Sequence, residues 1–166
     1  MKDTETPPSS TDRDDADRLE VVQVITRMAW LTDSRDWDQL RDVFADRVML
    51  DYTSLTGGQP ARLAPVELVA GWQAGLGGLD VTQHLVSNHL VWVDGDRAEA
   101  IAQFQATHVL ANPHGDPTWT LGGHYRFGLI RAEAGWRIDA VRMTATWAAG
   151  NQQIMTLAAQ VTETTS

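Results

Sequence analysis

The sequence predicts an α+β domain in which helices come first and a meander of long antiparallel strands follows. Three observations carry this. Leu19, Val22, Ile25, Met28 and Ala29 recur at three- and four-residue spacing, a helical stripe between Asp15 and Leu31. From Thr82 the period changes to two, in runs over Thr82–Val93, Arg97–Leu110, Thr118–Arg131 and Gly135–Trp147. The runs are separated by turn formers: Asp94-Gly95-Asp96, Asn112 to Pro117, and Glu133-Ala134-Gly135.

Residues 1–14 mix Pro, Ser, Thr and charge, and read as a disordered tail, as do residues 161–166. One domain is expected over residues 15–160. Val21, Val24 and Trp30 widen the stripe of the first helix, so that helix is expected to be covered on more than one side. A short second helix is expected from Asp36 to Phe44, with Asp36 as its N-cap and Trp37, Leu40, Val43 and Phe44 facing inward. Arg47–Tyr52 reads as a strand and Thr56–Pro60 as a loop. Pro65 opens a third helix that ends near Leu76, before Gly77-Gly78. A closing helical turn is expected between Gly150 and Gln160.

Composition excludes some classes of function. The 166 residues carry a formal charge of -9, from 22 acidic against 13 basic residues. That balance argues against binding a phosphate backbone, so no nucleic acid partner is expected. Without cysteine there are no disulfides or thiolate metal sites. Neither a secretory leader nor a membrane-spanning run is apparent, and a soluble cytoplasmic protein with no membrane partner is the expectation. Seven tryptophans against two tyrosines and three phenylalanines suit an aromatic-lined interior, and equally an ordinary Trp-rich core.

Period-two alternation places His84, Val86, Asn88, Leu90 and Trp92 on one face of the first long strand. Ala98, Ala100, Ala102, Phe104, Ala106 and His108 share a face of the next, and Trp119, Leu121, Gly123, Tyr125, Phe127 and Leu129 of the third. The many small residues there either let helices approach closely or leave a hollow of the kind that binds small molecules. Asp33, at the end of the first helix and expected beneath Trp30, and His84 are the leading candidates for chemistry. A carboxylate that orients an imidazole makes a general base near neutral pH. The plainer alternative is an Asp that caps the following helix and a His satisfied in the core. Tyr52 and His108 are candidate proton donors. Trp30, Asn88, Phe104, Trp119 and Tyr125 are candidate lining residues, and Arg142 is a candidate cation for an enolate or carboxylate. His89, out of phase with His84, is expected to point the other way. With no HxH or HExxH spacing, neither a metal nor a cofactor is expected.

The run DSRDWDQLRDVFADRVMLDYTS from Asp33 to Ser54, followed by Thr82-Gln83-His84, resembles the SnoaL-like branch of the NTF2-like superfamily, especially scytalone dehydratase-type enzymes. The resemblance spans about Asp17 to Gln160. It implies a cone, in which a strongly curved, mostly antiparallel sheet wraps N-terminal helices around a deep apolar cavity. The family's catalytic Asp and His match Asp33 and His84, its substrate-orienting Tyr matches Tyr52, and a second His has its nearest counterpart in His108. Arg142 is the counterpart of a C-terminal Arg in related elimination enzymes. Where the dehydratase has a Tyr just before its Asp, this chain has Thr32. The implied activity is cofactor-free lyase or isomerase chemistry, dehydratase- or cyclase-type, on a hydrophobic oxygenated small molecule. The alternative is a non-catalytic ligand-binding or dimerisation module; a homodimer or higher homo-oligomer is implied in either case.

Overall fold

A computed structural model describes residues 10–113 and 115–165, so the expectation for residues 1–9 and Ser166 lies outside the described residues. The elements run α1 (Ser10–Asp33), α2 (Trp37–Arg41), β1 (Phe44–Asp51), α3 (Thr53–Thr56), β2 (Ala61–Leu63), α4 (Pro65–Leu76), β3 (Val81–Asp94), β4 (Arg97–Val109), β5 (Thr118–Ala132), β6 (Gly135–Gly150) and α5 (Gln153–Thr165). The fold is mixed α+β, with one curved, unclosed six-stranded sheet in the order β2-β1-β6-β5-β4-β3. All neighbours are antiparallel except β1 and β6, which run parallel. No described helix is long and apolar enough to cross a membrane.

Both terminal helices pass the expected boundaries. α1 begins at Ser10 instead of Asp15, and α5 continues to Thr165 because neither Pro nor Gly interrupts Gln153–Thr165. The buried stripe of α1 is Asp17, Val21, Ile25, Met28, Ala29, Leu31 and Thr32, while Leu19 is exposed. Asp17 at the head of this stripe accepts from Arg131 Nη2 at 2.6 Å and from the Trp136 indole at 3.2 Å, which ties α1 to the β5–β6 hairpin. The partly exposed Arg131 guanidinium holds the Asp17 carboxyl below its usual range.

α2 is capped as expected, with the Asp36 carboxylate accepting from Gln39 N at 3.2 Å. It ends at Arg41, and β1 takes Phe44. α4 occupies its expected span, with Pro65 at its first turn and the Glu67 carboxylate accepting from Ala64 N at 2.7 Å. Gly78 then passes close under α5, where a β-carbon would collide with the Ala158 carbonyl oxygen. Gly78→Ala is therefore expected to push α5 off its seat and to destabilise the fold by about 1–3 kcal/mol. The urea midpoint measures this, and an unchanged midpoint would contradict the packing described.

Two of the sheet's irregularities decide which way the expected site residues of β3 and β6 face. In β3 the pairing steps from Ser87↔Gln103 to Leu90↔Ile101, so Asn88 and His89 together oppose Ala102. Asn88 takes the left-handed conformation, φ 55°, that such a bulge requires and that Asn tolerates. In β6 Asp139 is the extra residue, between Ala140↔Gly128 and Ile138↔Leu129. Each inserted residue moves everything beyond it to the other face. β4 and β5 keep their alternation, and Ala98 through His108 and Trp119 through Leu129 face inward as expected. The outer face exposes Leu85, Leu90, Trp92 and Trp147.

Candidate active site

The site begins where α1 stops. Arg35 adopts φ 58° just past Asp33, and Asp36 N donates back to Leu31 O at 3.0 Å, which closes the helix end. The Arg35 guanidinium also donates to the Leu79 carbonyl, which pins the approach to β3 against that end. His84, the fourth residue of β3, thereby arrives beside Asp33.

The two side chains form a close pair. Asp33 Oδ1 meets His84 Nδ1 at 2.7 Å, and Asp33 Oδ2 accepts from the His84 backbone N–H at 2.7 Å. Both carboxylate oxygens are thus committed to one residue. An ionised carboxylate only accepts, so Nδ1 carries the proton and Nε2 is left as the basic nitrogen. The side chains are 15% and 22% exposed, enough for proton exchange with solvent. The capping alternative for Asp33 does not describe the structure, because Asp36 caps α2.

His84 forms part of the wall of a pocket of about 280 Å³ between the concave sheet face and helices α1, α4 and α5. Met28, Ala29 and Thr32 line it from α1, Trp72 and Leu76 from α4, and Met155 from α5. The sheet contributes Val86, Phe104, Ala106, His108, Trp119, Leu121, Tyr125 and Met143, and Tyr52 comes from the end of β1. Ala106 is the β4 alanine that lines it. His108 lies 5.8 Å from His84, edge to face, and 5.4 Å from Trp119. Burial pushes the His108 pKa down to about 4, with the neighbouring His84 a smaller cause in the same direction. It is therefore a neutral imidazole at ordinary pH, able to donate or accept a hydrogen bond without repelling an imidazolium at His84.

Residues 13–142 match the family described as the SnoaL-like domain. The chain belongs to the SnoaL-like family. Its curated relatives include the uncharacterised proteins Rv2910c of Mycobacterium tuberculosis and Mb2934c of Mycobacterium bovis. Each is 32% identical over 126 residues, covering 74% of this chain and 81% of the relative. The Kfla4162 protein of Kribbella flavida superposes with a TM-score of 0.80 at 29% identity, over 87% of this chain and 97% of that one. A Novosphingobium aromaticivorans structure named for scytalone dehydratase gives 0.74 at 16% identity, over 86% and 92% of the two chains. The latter shares the NTF2-like fold with this SnoaL-like chain.

Within the SnoaL-like domain, Tyr52, His84, Phe104, His108, Trp119 and Tyr125 line one pocket, with Asp33 directly behind His84. Three expected site residues lie elsewhere. Trp30 falls off the buried stripe of α1, is 72% exposed, and lines an outer groove with Val81, Leu85 and the Asp33–His84 pair instead of the pocket. Asn88, turned outward by the β3 bulge, donates to Gln103 Oε1 at 2.5 Å on the outer face. Arg142, displaced by the Asp139 bulge, donates from Nε to Asp51 Oδ2 at 2.7 Å outside the pocket. His89 corrects the opposite expectation: the bulge turns it inward, and burial lowers its pKa. Sequence reasoning misses Thr32, Trp72 and Met155 as lining residues. For Trp72 a signal exists, since it follows Leu68 and Val69 at helical spacing.

Proposed function

We propose that the protein is a lyase or isomerase that works by acid/base chemistry on a hydrophobic oxygenated small molecule. The observation that carries this reading is the Asp33–His84 pair at 2.7 Å in the wall of a pocket that side chains leave open. Oriented by Asp33, His84 Nε2 takes a proton from a carbon beside a carbonyl or leaving group, and Asp33 stabilises the imidazolium that forms. Tyr52 or neutral His108 donates to the oxygen that gains charge. Phe104, Trp119 and Leu121 hold the apolar body of the substrate. A proton can then be returned at another carbon, which is isomerisation; the carbanion can add to a carbonyl carbon of the same molecule, whose oxygen takes up the proton, which is cyclisation; or a leaving group can be expelled, which is elimination.

Simple ketones can stand in for the natural substrate in the test. Aryl ketones of one and two rings are incubated with the protein in deuterated buffer, and loss of the α-proton signal is followed by NMR. Exchange that depends on His84 supports the reading. Exchange no faster than buffer across the panel, or equal in His84→Ala, would argue instead for a binding module.

The reading extends to assembly. Leu85, Leu90, Trp92 and Trp147 are each about half exposed on the outer face, beside the uncharged Gln103 and Gln105. This apolar surface suits a second copy of the chain. Sedimentation equilibrium should find a dimer or higher homo-oligomer that Trp92→Glu dissociates. A monomeric wild-type protein would overturn this part.

A further inference from the structure

Thr82 Oγ1 and His108 Nδ1 are buried polar atoms without a hydrogen-bond partner among the described residues. Both lie close to the dyad: Thr82 stands two residues before His84 on the same face of β3, and the His108 ring is 5.8 Å from that of His84. The two residues are 6% and 4% exposed, so solvent does not pair these atoms. An unpaired polar group in the interior is costly, and two such groups side by side can satisfy each other.

They are side by side. Thr82 and His108 are direct partners in the β3–β4 ladder, as His84 and Ala106 are two residues further along. The His84 N–H points away from β4, to Asp33 Oδ2, so His84 and Ala106 exchange no backbone hydrogen bonds with each other. Thr82 and His108, two residues away, form a pair of the same kind. Such pairs hold their α-carbons about 4.5 Å apart, with the side chains at close range on one face. Rotation of the Thr82 side chain brings its hydroxyl within reach of the imidazole. The ring itself has less freedom, because Trp119 flanks it at 5.4 Å between centroids on the β5 side.

We propose that Thr82 is a positioning residue whose hydroxyl donates to His108 Nδ1 and so keeps the His108 proton on Nε2. Proton counting decides the direction. A neutral imidazole has one N–H and one lone pair, and a hydroxyl has one proton to give. Were Nδ1–H the donor, the Thr82 proton would still lack an acceptor inside the protein. When the hydroxyl donates, its proton is used in the pair, and the Nε2–H of His108 is free for the pocket that His108 lines. The competing partner is the Trp119 backbone, which favours a proton on the ring and would call for the other tautomer. Thr82 thereby gives His108 the tautomer opposite to the one Asp33 gives His84. Two imidazoles 5.8 Å apart then take different tasks: His84 offers a basic nitrogen, and His108 offers an N–H to the oxygen that gains charge. The inference rests on the acid/base reading only for that division of labour; the tautomer is tested without turnover.

Nitrogen chemical shifts of ¹⁵N-histidine-labelled protein, with the His108 signals assigned through His108→Gln, should show a pyridine-like Nδ1 and a protonated Nε2. Thr82→Val should abolish that preference in His108 and leave His84 as in wild type, whereas Thr82→Ser, which keeps the hydroxyl, should retain it. In α-proton exchange on aryl ketones, Thr82→Val should lower kcat about 10-fold, the equivalent of one hydrogen bond, with KM within about twofold, and Thr82→Ser should recover most of the loss. A wild-type proton on His108 Nδ1, a preference that survives in Thr82→Val, or equal disturbance by Val and Ser would overturn the assignment. The wild-type spectrum decides the matter even where Thr82→Val does not fold. The expected His108 tautomer in a protein that exchanges no α-protons would strike the acid/base reading and leave the role of Thr82 standing.

Discussion

His84→Ala is expected to slow α-proton exchange by about 10²–10⁴-fold, the range a positioned acid/base group contributes. The fold should survive, because His84 is part-exposed at the pocket wall and its backbone N–H still reaches Asp33 Oδ2. Asp33→Asn is the sharper variant. It preserves volume, but its amide cannot act as a carboxylate toward both Nδ1–H and the His84 backbone N–H. The imidazole is then free to take the other tautomer, and the same replacement behind a catalytic histidine costs about 10⁴ in kcat. Because the two residues act as one unit, the double variant should be little worse than the poorer single one. Additive losses would mean that Asp33 serves the chemistry other than through His84.

The second large effect is on stability in acid. Unfolded His108 takes up a proton near its ordinary value of 6.5, whereas folded His108 resists until about pH 4. Between those values the unfolded state binds more protons, so stability is full above pH 6.5 and falls as the pH drops toward 4. At 1.36 kcal/mol per unit of pKa, the loss from this residue is about 3 kcal/mol. The neighbouring charges act on the same group in known directions: protonated His84 opposes a charge on His108, and Asp33 favours it. Half-buried His89 adds a loss of the same sign. Asp17 and Asp51, whose carboxyl values are lowered, give up their contributions only at pH below this window. Urea midpoints from pH 7 to pH 4 should fall steeply for wild type and more gently for His108→Gln. Parallel curves would show that His108 is not held neutral.

The helices and hairpins are legible in the sequence because local chemistry marks their ends. Pro65, Gly77 and the Asp36 cap each act within one turn, and Asp94-Gly95 closes the β3–β4 hairpin where expected. The parallel pairing of β1 with β6 is not legible, since its partners are separated by most of the chain and no turn connects them. Side-chain direction holds as far as the period holds. His84 and Val86 precede the β3 bulge and face inward, whereas Asn88 follows them onto the outer face. Arg142 leaves the pocket in the same way beyond Asp139. Nothing in a single sequence announces an inserted ladder residue when Asn and Asp occupy those places in otherwise ordinary strands. Trp30 departs for a different reason: the apolar spacing passes through Leu19 and Val22, whereas the buried line runs through Asp17 and Val21. A buried, ion-paired Asp is invisible to a search for apolar spacing. The partnership of Asp33 with His84 lies beyond local rules too, and family resemblance supplies it.

The direct measurement is the tautomer of His84. Long-range ¹H–¹⁵N correlation on labelled protein, above the pH at which the ring protonates, should find the proton on Nδ1 and a pyridine-like Nε2. Asp33→Asn should remove that preference. A proton on Nε2, or the averaged nitrogens of a freely solvated imidazole, would contradict the claim that Asp33 holds His84 as a base facing the pocket.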